Sequence, residues 1–163
     1  MFKEADTPDV FPSKVLVCAS EKLLNSANKK DIWALSGDGW KSVLADHRKE
    51  VISRFIGKLN TPRQSQVDEL FLQLIGLKSI SSSWHWKGKT KKKAVESLSN
   101  LITLRGSIAH RVKTSKSVTK SEVERNIQIC MRLSVLSSNA CAIYLQKSTG
   151  KYPWNRFTYK ATG

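Results

Sequence analysis

Arg105 and His110 stand five residues apart in the string Leu104-Arg105-Gly106-Ser107-Ile108-Ala109-His110-Arg111. A guanidinium grips phosphate oxygens through paired N–H donors, and an imidazole exchanges protons near neutral pH. Together they supply the minimum for cleaving RNA without a metal: a phosphate anchor and a general acid or base. Arg105 also falls in step with Leu98, Ile102, Ala109 and Val112, the four-three spacing of a buried helical seam. Its charge is therefore expected in a core-facing slot, where it needs either an internal carboxylate or a bound phosphate. Five residues at about 100° each turn His110 roughly 140° away from Arg105. One regular helix splays the pair, whereas two such helices facing each other across a symmetric dimer would line one cleft with two copies of it. The structural alternative has His110 complementing the negative end of the helix dipole and Arg105 paired with a carboxylate of the first or second helix.

A second chemical constellation precedes the first. Trp84, His85 and Trp86 lead into Lys87, Lys89, Lys91, Lys92 and Lys93, five lysines in seven residues, and Arg111 and Lys113 follow the Arg105 string. Aromatic rings beside a cationic run can stack bases while the lysines contact phosphates. The alternative is that Trp84 and Trp86 pack into the core and the lysines solvate a loop. His85 is a secondary catalytic candidate, and His47, on an apolar stripe, reads as structural. The whole chain carries 28 Lys+Arg against 13 Asp+Glu, a net +15 that draws polyanions and makes RNA the leading partner. Cys18, Cys130 and Cys141 form no CxxC pair and the three histidines are scattered, so reduced, mostly core thiols are expected and neither a metal nor a cofactor is. The apolar runs are cut within a few residues by Lys, Ser or Asn, so no membrane association is expected. Acidic residues in Met1-Phe2-Lys3-Glu4-Ala5-Asp6 speak against a secretory signal, and cytoplasmic residence is the expectation.

The elements that must position these residues are helical. At 163 residues and 40% hydrophobic content the chain is one domain's worth. Residues 1–12, with Pro8 and Pro12, are expected as an extended arm, 13–150 as the helical domain and 151–163 as an aromatic tail packed on it. The apolar spacing predicts a helix from a Ser13 cap to about Asn25, a short turn over Asp31–Leu35, and a helix from about Trp40 to Leu59. Thr61 and Pro62 signal the start of a third helix that Gly76 ends. A fourth carries Ala94 to Val112, a loop spans Thr114–Ser117, and a long fifth starts at a Thr119/Glu122 capping box. No run alternates as a strand does, so the fold class is all-α, a bundle of about five helices with short loops.

The Arg105–His110 string fits the Arg-x4-6-His motif of HEPN domains. With the Leu74–Leu77 turn, Trp84-His85-Trp86, the long last helix and Pro153-Trp154, the chain from about Trp40 to Trp154 resembles the RiboL-PSP-HEPN group. The resemblance implies a metal-independent endoribonuclease acting as a homodimer with a composite active site. In such an enzyme the ribose 2′-OH attacks its own phosphate, leaving a 2′,3′-cyclic phosphate and a 5′-OH. His110 would serve as base or acid, Arg105 would hold the phosphate, and Ser107 or Arg111 would add a hydrogen bond. The resemblance further suggests a setting in prokaryotic antiviral defence or a toxin system, with an antitoxin or defence partner. The competing function is a non-catalytic helical module for RNA binding or dimerisation. The sequence departs from the HEPN pattern at Gly106, where many such nucleases carry a polar residue. That glycine also costs the helix about 1 kcal/mol relative to alanine, as close approach of a second backbone or a phosphate would require.

Overall fold

Pro12 opens the first helix, because its fixed φ and missing N–H suit a helix entrance. Its carbonyl accepts from the Val15 and Leu16 N–H groups at 2.9 and 3.2 Å. Helix α1 runs Ser13–Leu24 with Pro12, not Ser13, in the cap position. In the computed structural model, which describes residues 5–56, 62–109 and 118–159, four more α-helices follow: α2 Gly39–Ile56, α3 Gln64–Ile75, α4 Lys91–Ala109 and α5 Lys120–Thr149. Short 3-10 segments occupy Pro8–Val10, Lys29–Leu35 and Ile80–Ser83. Among the described residues there is no strand, only one antiparallel bridge between Trp86 and Lys89. The architecture is the all-α five-helix bundle that the periodicity predicts. No helix of the described residues is long and apolar enough to cross a membrane.

Local chemistry sets the helix ends. The cap of α3 is Arg63, whose N–H donates to Gln66 Oε1 at 3.0 Å; the expected cap, Thr61, lies outside the described residues, as does the expected end of α2 at Leu59. Gly76 closes α3 at φ 77°, a conformation only glycine adopts without strain. An added Cβ there would also stand 2.3 Å from Pro12 Cγ. Thr119 and Glu122 form the expected capping box: the Glu122 N–H donates to Thr119 Oγ1 at 3.3 Å and the Thr119 N–H donates to Glu122 Oε2 at 2.9 Å. Val112 and the expected loop from Thr114 to Ser117 lie outside the described residues.

Two buried clusters fill the bundle. Val15 and Ala19 of α1 meet Leu44 of α2, and the segment before α1 adds Ala5 and Phe11 to the same core. Trp84, Ala94, Ile129 and Leu133 form the second cluster, between α4, α5 and the turn that precedes α4. The Ile80–Ser83 turn packs on α3, α4 and α5 and is fixed by Asp68 of α3, which accepts from the Ser81 N–H at 2.8 Å and from its hydroxyl at 2.7 Å. His47 has the structural place expected of it: its Nε2 lies 3.2 Å from the carbonyl oxygen of Gln73 on α3. These contacts hold the first residues of α4 against the core, and α5 is the helix that packs most closely on α4.

Candidate active site and nucleic-acid face

Arg105 lies in the last turns of α4, where the helix has left the second core cluster. Leu98 and Ile102 are half-buried, but Arg105 and Ala109 are exposed, so the core-facing slot expected from the spacing is not realised. The seam runs out because Ala94 and Leu98 use the cover that Trp84, Ile129 and Leu133 provide, and neither buried cluster of the described residues includes Arg105 or Ala109. Exposure removes the desolvation cost that a buried guanidinium would carry. Arg105 instead stands on the wall of a groove of about 480 Å³ between α4 and α5. Leu104, Ile108 and Ala109 line its α4 side, and Val123, Ile127 and Met131 line its α5 side. Those apolar side chains are left to water: Ile108 is 56% exposed, Ile127 52% and Met131 50%. A contiguous apolar face of this kind marks an interaction surface.

His110, Arg111 and Lys113 lie outside the described residues, so Arg105 is the one member of the motif pair whose surroundings are on view. Ser107 donates its hydroxyl hydrogen to the Leu104 carbonyl at 2.7 Å, a back-bond within α4 that leaves it only lone pairs to offer. Two residues further along a helix, it also points roughly 200° away from Arg105. An added Cβ on Gly106 meets nothing within 4 Å, so nothing in the described chain demands glycine there.

The basic cluster sits at the opposite end of α4. Trp86 and Lys89 close a tight turn through mutual backbone hydrogen bonds of 3.0 and 2.9 Å, with Gly88 at φ 82°. Lys87, Lys91, Lys92 and Lys93 are exposed around it, and Lys89 Nζ lies 5.7 Å from the Trp86 ring centre. Trp84 is not part of this face: it is 2% exposed and its Nε1–H donates to Ser137 Oγ at 2.8 Å, so its rings are held in the core and cannot stack a base. His85 is exposed, with Nδ1 3.1 Å from the Ser82 carbonyl oxygen, which leaves Nε2 facing outward in the tautomer that donates there.

Several members of this surface escaped the sequence reading. The guanidinium of Arg132 lies 5.3 Å from the Trp86 ring and 4.3 Å from the Tyr159 ring, so the tail closes over the basic cluster. A second cavity of about 520 Å³, polar where the Arg105 groove is apolar, opens between α4 and α5. The sequence did hold one signal: Val123, Ile127 and Met131 repeat every four residues on α5 beside the buried Ile129 and Leu133, and two apolar stripes on one helix imply two partners. The thiols divide as well. Burial pushes Cys141 up to about 11, while Cys130, expected in the core, is exposed at the groove and is also raised by partial burial.

The family profile described as RiboL-PSP-HEPN matches residues 13–137, which takes in α1 through most of α5 and the whole Arg105–His110 string. The chain belongs to the RiboL-PSP-HEPN family. No curated protein and no solved structure shows a match. Membership accounts for the all-helical bundle and points to an RNA-related, nuclease-like HEPN domain. Within this HEPN domain the conjunction that matters is Arg105 on the wall of an exposed apolar groove, with a lysine-rich turn at the far end of the same helix.

Proposed function

We propose that this HEPN protein is a metal-independent endoribonuclease that works as a homodimer, with Arg105 and His110 of both copies lining one cleft. The observation that carries the reading is the groove: Arg105 rises among apolar side chains that water covers in a single chain. A second copy laid on the same face buries them, and two-fold symmetry brings the two arginines toward one another. In the reaction the 2′-oxygen bonds to its own 3′-phosphorus as the P–O5′ bond breaks, giving the 2′,3′-cyclic phosphate and a 5′-hydroxyl. His110 takes the 2′-OH proton or protonates the departing 5′-oxygen, and a second copy allows one to do each. Arg105 donates to the non-bridging oxygens as their charge grows. DNA lacks the nucleophile and is not cut. The lysines from Lys87 to Lys93 hold the strand electrostatically, so binding weakens steeply with salt. The setting proposed is a cytoplasmic defence or toxin-like system in which a protein partner restrains the enzyme.

The deciding experiment compares the wild-type protein with His110→Ala on single-stranded RNA in EDTA. The expected result is cleavage with cyclic-phosphate ends by the wild type and its loss, with RNA affinity kept, in the variant. Binding without cleavage by the wild-type dimer would instead make the chain a non-catalytic RNA-binding or dimerisation module.

A further inference from the structure

The polar cavity between α4 and α5 has the makings of a base pocket. Ser97, Asn100, Leu101 and Leu104 follow one another at helical spacing along α4, and Arg125, Asn126 and Ile129 face them from α5. The leucines and the 93%-buried side of Ile129 give an apolar wall against which a flat ring can lie. Around that wall the polar groups converge. Asn100 and Asn126 each carry an amide with donors and an acceptor, and no hydrogen bond among the described residues engages either. The Ser97 hydroxyl donates to the Lys93 carbonyl at 2.8 Å, so it turns only lone pairs toward the cavity and can accept from a base N–H. Lys89 and Arg125 add positive charge, and Lys89 belongs to the lysine-rich turn as well; the one carboxylate in the lining, Glu122, is engaged by the Thr119 N–H at 2.9 Å and the Thr119 hydroxyl at 3.0 Å in the α5 cap.

Its volume of about 520 Å³ is that of a small-ligand site, and an apolar wall with a few convergent polar groups is the usual construction of one. The cavity is not isolated from the Arg105 groove: Leu101, Leu104 and Asn126 line both. From this arrangement, and resting on the ribonuclease reading above, we propose that the cavity receives one unpaired nucleobase of the RNA and sets the base preference at a position beside the cut. The ring lies against Leu101, Leu104 and Ile129, its edge is read by Asn100, Asn126 and the Ser97 oxygen, and Lys89 faces the flanking phosphate.

The test uses full-length wild-type protein and the variants Asn100→Ala and Asn126→Ala, which favour the helix and so leave the fold intact. Cut sites are mapped on randomised single-stranded RNA. The wild type is expected to prefer one base at a fixed position from the cut, and each alanine variant to flatten that preference by about tenfold, the value of a good side-chain–base pair. Asn100→Asp, which exchanges donors for acceptors, is expected to change the preferred base rather than only flatten it. In parallel the side-chain amide resonances of Asn100 and Asn126 are followed as each of the four nucleoside 5′-monophosphates is added. Shifts of both amides with at least one nucleotide support the pocket even if the protein cuts no RNA, in which case the nuclease reading alone fails. An unchanged base profile in both alanine variants of a cutting enzyme, or amides indifferent to all four nucleotides, overturns the pocket and leaves the nuclease reading standing.

Discussion

Asn139 holds Phe157 through both faces of one amide: its Nδ2–H donates to the Phe157 carbonyl at 2.8 Å, and the Phe157 N–H donates to its Oδ1 at 2.8 Å. The pair lays the C-terminal segment back along α5, and two residues later Tyr159 covers the Arg132 guanidinium at 4.3 Å. The tail and the lysine-rich turn therefore share one residue, since Arg132 also lies 5.3 Å from the Trp86 ring.

Replacing Asn139 by alanine removes both hydrogen bonds, a loss of about 1 kcal/mol at this exposed position. The expected outcome is fast amide exchange at Phe157 with α5 still protected. Protection at Phe157 equal to the wild type would show that Arg132 and Tyr159 hold the tail unaided.

Ile127→Lys places a charge in the middle of the apolar groove, on a side chain that is 52% exposed in the single chain. The single chain loses no packing, so circular dichroism stays as it is, and the thermal midpoint falls only by what dimerisation had contributed. If the proposed dimer forms through this face, sedimentation is expected to show it weakened by about 2 kcal/mol or more, the effect of spoiling an interface centre, with the proposed RNA cleavage falling in proportion. A dimer that survives this change assembles through some other face.

Gly106→Ala is expected to separate stability from activity. The new methyl meets nothing within 4 Å in the single chain, so α4 gains about 1 kcal/mol of helix propensity and the melting temperature rises. If a second backbone or a phosphate comes close at that position in the proposed dimer, the proposed cleavage falls at the same time. Higher stability with full activity would assign the glycine to neither.

Trp84→Phe keeps an aromatic ring in the core but leaves Ser137 without the indole N–H that reaches it at 2.8 Å. Chemical denaturation should show a loss of about 1 kcal/mol, the net worth of one part-buried hydrogen bond, together with the packing that the smaller ring gives up. RNA affinity should not move. An affinity loss larger than the folding loss would return Trp84 to the binding face.

The Cys141 thiol, pushed up to about 11 from 9.0 by burial, ties stability to alkaline pH. Below pH 9 the thiol is protonated in both states and folding is unaffected. Between 9 and about 11 only the unfolded chain releases the proton, so stability falls as pH rises. Cys130 and Tyr144 are raised by burial too and act in the same direction. Denaturation of Cys141→Ala from pH 8 to 11 should show a shallower decline than the wild type, and an identical decline would remove the thiol from the account.

Periodicity and a few boundary signals located all five helices, because apolar stripes recur along the chain and Gly76 and the Thr119/Glu122 box mark two of the boundaries. It misplaced two caps, at Pro12 and Arg63, where the neighbouring Ser13 and the Thr61-Pro62 pair were the stronger local signals. Arg105 is the instructive error. Spacing reports which way a side chain points around a helix, and nothing in spacing says that the cover opposite has ended by that turn. Trp84 errs the other way: an aromatic beside lysines looks like a stacking surface until the turn before α4 folds it under. The polar cavity was invisible for a third reason, since Asn100 and Asn126 are 26 positions apart and ordinary on their own helices.

Two glycines in this chain carry opposite kinds of inheritance. At Gly76 the backbone is left-handed and a methyl would stand 2.3 Å from Pro12, so any descendant that keeps the bundle must keep that glycine, whatever it does with RNA. Gly106 has open space around it among the described residues, and packing within them gives no reason to keep it. If Gly106 serves the proposed chemistry, a lineage that gave that chemistry up is expected to drift at position 106 first while position 76 stays fixed, changing its sequence without changing its shape.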